Sequence, residues 1–421
     1  MQKVIKKRNY FDLSEFVLSL LIAFFLLVDQ KIATILIAVF CLNSLISGVI
    51  RGFRKPKLAF YPFIILFGFY LIGLLFTENF DYGWKDIETR LSFLLLPLFY
   101  GTAKREIPIS ISAVVWSFVG GAFVYLCLSL YEAFDCMELM RPRLCFESYK
   151  LSRWIHPTYA AIYLIMGSAF VCVDAFGKTG TLLKKIGAIL VTVVFYYFVY
   201  KFYSLGPWIS FLGMISTVLF AIFYFRKKVI LFFVGITVLG ILGVLAVKNL
   251  DLLQSDYNGV KTELSRYFSD KEAYIEANRN SPGSVNARLL IWNVSFEMIS
   301  EHPFGAGTGD GKDLLMEYYR AKGMDAFADR ELNQHCQYLQ TAGSIGIFSA
   351  LFLIASLFYY LLQGFKKRSY YLIVLIAAFA TGCLFESILE RQWGILFFMF
   401  FLCLFLTDIT KPISQENQPT E

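Results

Sequence analysis

Residues 393–408 read WGILFFMFFLCLFLTD, an apolar run with a single charge, Asp408, at its end. A helix needs about 20 such residues to cross the roughly 30 Å of hydrocarbon in a bilayer, where its backbone must satisfy its own hydrogen bonds. Similar runs recur along the chain and predict about twelve transmembrane helices. The candidate spans are residues 13–29, 32–50, 58–76, 91–103, 108–131, 155–175, 186–202, 208–225, 229–247, 344–363, 370–387 and 393–408.

The composition of the whole chain agrees with this pattern. Of its 421 residues, 57% are hydrophobic and 17% are charged, and the mean hydropathy is +0.59. A soluble core would not hide so many apolar side chains, so we predict an all-α polytopic membrane protein. The net charge of +7 does not indicate a nucleic-acid partner, because the basic residues are not gathered on one segment. The cysteines lack metal-ligand spacing, so no metal or other cofactor is expected.

Basic residues mark the short connections on one side of the membrane, at 51–57, 104–105, 178–185, 226–228 and 366–368. Because such connections are usually cytoplasmic, both termini are predicted to be cytoplasmic. The chain then divides into four parts. These are helices 1 to 9 over residues 1–247, an external (periplasmic) loop over 248–343, helices 10 to 12 over 344–408 and a cytoplasmic tail over 409–421. No small-residue cleavage site follows the first apolar run, so we expect a retained first helix.

Cys136 and Cys145 share a predicted outer connection, residues 132–154. In an oxidising compartment the two thiols can form a disulfide. Two free thiols are the alternative, and the sequence alone leaves both open.

The loop 248–343 is the one long polar stretch in an apolar chain. Its first part, 251–287, is turn-rich and is predicted to be irregular or partly helical, with little core. Residues 288–301 have apolar side chains near helical spacing, which predicts an interfacial helix with Asn286 as a possible cap. Asp310 is then predicted to cap a second short helix.

Two residues of this loop are candidates for chemistry. His335 lies where the loop meets the tenth span, and an imidazole there can take a proton from a hydroxyl or bond a phosphate oxygen at neutral pH. Arg288 can hold a phosphate or diphosphate with its planar fork. The alternatives are a helix-capping or interfacial histidine and a solvated arginine. The glycine-rich segment 305–309 either brings backbone amides to an anion or forms a plain turn.

Charged residues also stand at the predicted outward edges of other spans, namely Arg90, Arg153, Lys201 and those in 386–391. Charges at membrane depth are costly, so those that turn inward are functional candidates and those that snorkel are not. The sequence contains neither a paired acidic relay within the spans nor an arginine-studded helix. It therefore argues against a proton pump or a channel.

Several short motifs stand in and around the long loop. They are Arg288-x3-Trp292, His302-Pro-Phe-Gly-Ala-Gly307, His335-x2-Tyr338-Leu and Gly343-x2-Gly346, together with Arg90-Leu-Ser-Phe-Leu-Leu-Leu-Pro97 and His156-Pro-Thr-Tyr159. With about twelve spans and a long external loop between the ninth and the tenth, this series resembles the bacterial O-antigen ligase and O-antigen polymerase superfamily. The resemblance covers the architecture of nearly the whole chain.

The resemblance implies a GT-C-like fold and an inverting, metal-independent glycosyltransferase. Such an enzyme moves a glycan from an undecaprenyl-diphosphate carrier to a hydroxyl acceptor at the bacterial inner membrane. On this reading Arg288 steadies the diphosphate, and His335 activates the acceptor hydroxyl or assists the leaving group. Trp292, Gly307 and Tyr338 line the site.

One position departs from the family pattern. Relatives commonly carry an arginine before the eighth span, in a Ser-Arg-Gly-like turn, where this chain has Ser204-Leu205-Gly206. Lys201, Arg153 or Arg391 would then supply the second phosphate-binding cation. Arg90 is also assigned to substrate binding.

The leading hypothesis is an O-antigen or surface-polysaccharide ligase, favoured by the position and length of the loop. The alternatives are an O-antigen-type polymerase, a non-catalytic flippase or transporter of lipid-linked glycans, and a membrane scaffold. No inverted repeat or pair of broken helices is visible, which counts against the transporter. The expected partners are the undecaprenyl-diphosphate-linked glycan donor, a lipid or glycan acceptor and membrane lipids, without nucleic acid.

Overall fold

A computed structural model describes residues 2–106, 108–139, 145–152, 154–177, 180–249, 251–280 and 284–410. Within these ranges the chain is largely helical and contains no β-strand. The helices are α1 (Gln2–Val28), α2 (Gln30–Arg51), α3 (Tyr61–Leu74), α4 (Phe80–Arg90), α5 (Ser92–Thr102), α6 (Ile111–Leu139), α7 (Ser148–Leu151), α8 (Pro157–Phe176), α9 (Leu182–Lys201), α10 (Leu205–Phe225), α11 (Val229–Asn249), α12 (Asp251–Ser269), α13 (Lys271–Asn278), α14 (Ser284–Glu301), α15 (Gly311–Ala321), α16 (Asp325–Asp329), α17 (Gln337–Ile345), α18 (Ile347–Lys367), α19 (Tyr370–Gly382) and α20 (Gln392–Ile409). The predicted all-α polytopic membrane architecture is confirmed.

In the described part of the chain, eight helices are long and apolar enough to cross a bilayer. They are α1, α2, α6, α8, α9, α10, α18 and α20. Helices also form at the other four predicted spans, but three have shorter apolar stretches, Leu58–Leu74, Val229–Val238 and Tyr370–Gly382. The fourth, α5, has 11 residues and reaches about 17 Å, roughly half of the hydrocarbon thickness. The count of twelve therefore stays a prediction.

The apolar run at residues 393–408 lies in α20, at the centre of the helix bundle. The apolar window of α20 is 72% buried within the protein. Phe397 stacks on Tyr163 of α8 with 4.2 Å between the ring centroids, and Phe398 stacks on Phe379 of α19 at 3.8 Å. Because lipid tails are as apolar as these side chains, such close packing contributes more to helix association than the hydrophobic effect does.

The polar segment between α11 and α18 forms a second core. Ile291, Val294 and Met298 of α14 are buried together with Tyr319 of α15 and Phe327 of α16. The helical spacing of the apolar residues in α14 was predicted correctly, and its interfacial position stays a prediction. The apolar face of α14 is covered by neighbouring helices.

Residues 251–287 are more ordered than the sequence predicts, where the structure describes them. They form α12 and α13 and begin α14, and Asn286 lies inside α14 instead of capping it. Tyr274 of α13 is 4% exposed and belongs to the second core, and its hydroxyl donates to Oε2 of Glu263 at 2.6 Å. A single buried aromatic side chain thus docks a mostly polar helix, and the described part of residues 251–287 adds little else to the core.

The glycine-rich segment GAGTG is a turn whose amides are bonded within the protein. Gly305 and Gly307 have φ values of 84° and 112°, in the left-handed region that favours glycine. The amide of Gly307 donates to the carbonyl oxygen of Ser344 at 3.0 Å, and the amide of Gly309 donates to Oγ1 of Thr77 at 3.1 Å. These bonds favour the plain-turn alternative over an anion cradle.

Asp310 precedes α15, as predicted, but its carboxylate does not cap that helix. The carboxylate instead accepts the backbone amides of Glu78 and Asn79, each at 2.8 Å. Asp310 therefore fastens the second core to the connection between α3 and α4.

Cys136, near the end of α6, forms a disulfide with Cys145, and their Cα atoms are 5.8 Å apart. The structure therefore selects the disulfide from the two alternatives. Both cysteines precede α7 and α8, which carry part of the candidate site described below.

Replacing Cys136 and Cys145 by serine is expected to reduce stability by about 2 to 3 kcal/mol, because the disulfide closes a loop and so limits the unfolded chain. The unfolding midpoint of the purified protein in detergent, with and without reductant, measures this effect. Cys127→Ser is the matched control, since Cys127 is an exposed free thiol on the same helix. Equal midpoints for the double variant and this control would contradict the prediction.

Candidate active site around His335

His335 is held in an unusual backbone turn just before α17. Its φ is 45°, a left-handed value that residues with a Cβ atom rarely adopt. Its amide donates to Oδ1 of Asn333 at 3.0 Å, which stabilises the turn. Backbone strain of this kind persists where the surroundings impose it, often at functional sites. The imidazole keeps 27% of its surface exposed and remains accessible.

Gln337 joins the His335 turn to the connection between α19 and α20. Its amide donates to the carbonyl oxygen of Cys383 at 2.8 Å, and its side-chain Oε1 accepts the amide of Leu389 at 2.6 Å. Gln337 is completely buried, and a buried amide left without its partner costs about 1–3 kcal/mol. These two bonds fix residues 383–389 beside His335.

Glu386 lies in that connection and is the acidic neighbour of His335. Its Oε1 is 3.6 Å from Nδ1 of His335, and its side chain is 8% exposed. Burial alone would raise the pKa of Glu386, but the neighbouring side chains of His335, His156 and Arg288 hold it below its usual value. Glu386 is therefore ionised at neutral pH. The separation of 3.6 Å is an ion-pair distance, longer than a hydrogen bond.

His156, which precedes α8, is a second imidazole at this site. Its Nδ1 accepts the amide of Thr158 at 3.3 Å, so the proton of the neutral ring belongs on Nε2, 2.7 Å from the hydroxyl oxygen of Tyr149. Burial lowers the pKa of His156 and nearby cations lower it further, while Glu386 opposes them. His156 is thus neutral near pH 7, and the hydroxyl proton of Tyr149 is free to be donated elsewhere.

Arg288 and Trp292 lie one turn apart on α14 and face the same region. Arg288 is half-buried, and its charge helps to lower the pKa of Glu386. Nε1 of Trp292 donates to the carbonyl oxygen of Gln334 at 3.1 Å. The helix therefore brings Arg288 close to the His335 turn, although the two residues are far apart in the sequence of the predicted loop.

Tyr338 and Gly307 use their polar groups for contacts within the protein. The hydroxyl of Tyr338 donates to the carbonyl oxygen of Ala380 in α19 at 2.8 Å. Gly307 contacts Ser344 through its amide. Both residues therefore stabilise the segments around His335, and their assignment to substrate binding stays a prediction.

Arg90 belongs to a separate buried ion cluster. Its guanidinium is 1% exposed and pairs with the carboxylates of Asp86 and Glu390. It also lies over the ring of Tyr70, 4.2 Å from the centroid. Two carboxylates balance its charge in this structure, and its role in substrate binding stays a prediction.

The three proposed replacements for the missing family arginine have different surroundings. Nζ of Lys201 is 3.6 Å from Oε1 of Glu147, so its charge is paired. Arg391 is exposed, and its charge helps to lower the pKa of His156. Arg153 lies outside the described residues. Among the described candidates, Arg391 is the one whose charge acts on an imidazole of the site, that of His156.

The turn that contains Leu205 lies beside the same site. Oγ of Ser204 is 2.8 Å from Oγ1 of Thr158, two residues after His156. The position where relatives commonly have an arginine is thus close to the candidate site, although the side chain of Leu205 lies outside the described part of the chain.

Glu386 and His156 are the residues to which the sequence motifs assigned no role. In the sequence, Glu386 was one of several charges in the short connection 386–391. His156 was part of the motif His156-Pro-Thr-Tyr159, which contributes to the family resemblance but gave the histidine no role. The signal that could have identified Glu386 was its position between two apolar helices, because a carboxylate at membrane depth is energetically costly unless it is paired. In the described ranges, no group of three or more His, Cys, Asp or Glu side chains is arranged to hold a metal ion.

Two comparisons with known proteins bear on the family of this chain. A family model described as O-antigen ligase matches residues 188–354, a range that includes Arg288 and His335. The O-antigen ligase of Escherichia coli (strain K12) is 30% identical over 129 residues. That match covers 29% of this chain and 28% of the relative. Together with the motifs, these two matches support a relationship to the O-antigen ligase and O-antigen polymerase superfamily.

Proposed function

We propose that this protein transfers a glycan from an undecaprenyl-diphosphate carrier to a hydroxyl acceptor, as a surface-polysaccharide ligase. The observation that carries the proposal is the pairing of His335 with the ionised Glu386 at 3.6 Å, within electrostatic reach of Arg288. A base, an anion that orients it and a cation for the leaving group are the groups that this transfer requires.

In the proposed reaction, the acceptor oxygen attacks the anomeric carbon of the sugar attached to the diphosphate. The acceptor proton moves to His335, whose Nδ1 faces Glu386 and whose Nε2 is then the basic atom. The bond between the anomeric carbon and the phosphate oxygen breaks, and the electron pair leaves with undecaprenyl diphosphate. A single displacement of this kind inverts the anomeric configuration.

Glu386 supports the base in two ways. It stabilises the imidazolium that forms when His335 accepts the proton, and it selects the ring orientation in which Nδ1 faces the carboxylate. Catalytic hydrogen bonds are often long before substrate binds, so we expect the distance of 3.6 Å to shorten in the substrate complex.

Arg288 is proposed to neutralise the charge that develops on the diphosphate. A planar guanidinium can contact two phosphate oxygens at once, which suits it to a leaving group without a metal. Arg391 is proposed as the second cation, because it is exposed and acts on His156. Lys201 remains an alternative, although Glu147 pairs with it when no substrate is bound.

We further propose that the site faces the periplasm from the inner membrane, with both termini in the cytoplasm. The basic connections support this orientation through the positive-inside rule. The disulfide between Cys136 and Cys145 supports it independently, since disulfides persist in the oxidising periplasm and are rare in the cytosol.

Reconstitution tests the function directly. Purified protein in liposomes is supplied with an undecaprenyl-diphosphate oligosaccharide and a lipid acceptor bearing a free sugar hydroxyl, with and without a chelator. We expect glycan on the acceptor in both conditions. Lengthened lipid-linked glycan without acceptor modification would identify a polymerase, and translocation without transfer would identify a flippase.

A further inference from the structure

An apolar groove runs between α10, α11 and α18, away from the candidate active site. Its cavity volume is about 500 Å³, within the range of sites that hold small molecules. The lining is almost entirely aromatic and aliphatic. It consists of Ser216, Thr217, Phe220, Tyr224, Phe232, Phe358, Leu361, Leu362 and Phe365. Phe358 and Leu362 are 60% and 50% exposed, so the groove opens sideways towards lipid.

One end of this groove meets a second cavity that is lined by cations. The second cavity has a volume of about 650 Å³ and shares Tyr224 with the groove. Lys227, Lys228 and Arg368 line it. The apolar groove and the basic cavity are therefore neighbouring parts of one surface, which we call the basic groove.

Two tight turns hold the cations in place. Lys227 and Arg368 each adopt a left-handed conformation, with φ values of 55° and 54°. The amide of Lys228 donates to the carbonyl oxygen of Phe223 at 2.8 Å, which closes the turn between α10 and α11. The guanidinium of Arg368 lies 5.4 Å from the ring centroid of Phe225. The cations are thus positioned by the backbone, at the ends of packed helices.

Within the described part of the chain, no carboxylate pairs with the cations at this end of the groove. Six cations gather in its two connections, Arg226, Lys227, Lys228, Lys366, Lys367 and Arg368. Over the residues that the structure describes, none of these six forms a salt bridge. Such a cluster attracts an anionic ligand.

The basic groove lies on the opposite side of the membrane from His335. Helix α10 starts beside Thr158, near His156, and ends at Phe225, where the basic cavity begins. Its 21 residues span about 30 Å, the thickness of the hydrocarbon layer. The ligand of the basic groove is therefore separate from the substrates of the candidate active site.

We infer that the basic groove binds an anionic phospholipid of the leaflet opposite the active site, which is the cytoplasmic leaflet in the proposed orientation. The acyl chains would lie in the apolar groove between α10, α11 and α18. The phosphate would contact Lys227, Lys228 and Arg368. Basic pockets between transmembrane helices bind lipid head groups in this way. The inference depends on the membrane position of α10 and not on glycosyl transfer.

Lipid retention tests the inference. The full chain is purified in detergent, equilibrated with equal amounts of phosphatidylglycerol and phosphatidylcholine, and analysed by native mass spectrometry. We expect phosphatidylglycerol to be retained preferentially. One cation near a membrane surface changes the affinity for an anionic lipid about fivefold. The variant K227Q/K228Q/R368Q should therefore reduce the retention of phosphatidylglycerol tenfold or more. Soluble glycerol phosphate should not displace the lipid, because it lacks acyl chains.

Two further variants keep the inference open to disproof. Thr217→Trp fills the apolar groove without changing charge and should also reduce retention. K55Q/K104Q/K185Q removes three cations from other basic connections and should leave retention unchanged. Equal retention of the two lipids by the native chain, or equal losses in both triple variants, would overturn the inference. So would a dimer that dissociates when Thr217→Trp is introduced, because a second copy would then cover the groove.

Discussion

His335→Ala is expected to lower glycan transfer by about 10²- to 10⁴-fold, the usual contribution of a positioned general base. The acceptor hydroxyl would keep its proton during attack, and Glu386 would lose the imidazole that it orients at 3.6 Å. The initial rate of transfer from the lipid-linked donor to the acceptor in liposomes measures the effect. The variant should insert in the membrane at normal levels, because the His335 side chain is partly exposed and belongs to neither core.

His302→Ala is the matched control for this prediction. His302 is exposed and lies next to Tyr318, with 6.3 Å between their rings, so its loss should leave transfer unchanged. Glu386→Gln should keep His335 as the base but remove the carboxylate that stabilises its imidazolium. The transfer rate of this variant should therefore lie between those of the native chain and His335→Ala. A native rate for His335→Ala would rule out His335 as the base.

The membrane-spanning architecture was predictable because hydropathy and length alone identify helices that can cross a bilayer. The position of each helix in the bundle was not. Helices α9 and α20 have similar hydropathy, yet their apolar windows are 28% and 72% buried within the protein. Lipid and protein interiors are equally apolar, so composition cannot distinguish a lipid-facing helix from an enclosed one.

The candidate site was predictable to the extent that short motifs carried it. Arg288 and His335 were selected as the two edges of a diphosphate-facing site, and both lower the pKa of Glu386. The position of Glu386 beside His335 depends on a hydrogen bond between distant parts of the chain, because Gln337 and Leu389 are 52 residues apart in sequence. No local sequence pattern contains such a contact, so Glu386 could be identified as the acidic partner of His335 only from the structure.

The polar segment between α11 and α18 shows the same dependence on distant contacts. The sequence predicted little core for residues 251–287, and the few apolar side chains of that stretch are sufficient because several helices share one core. Tyr274, Tyr319 and Phe327 come from three different helices and are buried in one cluster. The resulting second core gives Arg288 a rigid support, which the proposed diphosphate site requires.

Arg288→Ala is expected to lower transfer by about 10²- to 10³-fold, a range typical for removal of one group that stabilises charge in a transition state. The leaving diphosphate would then develop its charge without the guanidinium fork. Arg288→Lys should recover only part of the activity, since an ammonium keeps the charge but cannot contact two phosphate oxygens in one plane. The transfer rates of both variants with the same lipid-linked donor measure these effects.

The comparison between variants separates binding from catalysis. If Arg288 acts mainly on the developing charge, the maximal rate at saturating donor should fall. If Arg288 only binds the donor, the maximal rate should stay the same and the donor concentration that gives half of it should rise. Arg330→Ala is the matched control, because Arg330 is exposed and lies in the same polar segment. A normal maximal rate for Arg288→Ala would contradict the catalytic role. Full activity of Arg288→Lys would show that charge without bidentate geometry is enough.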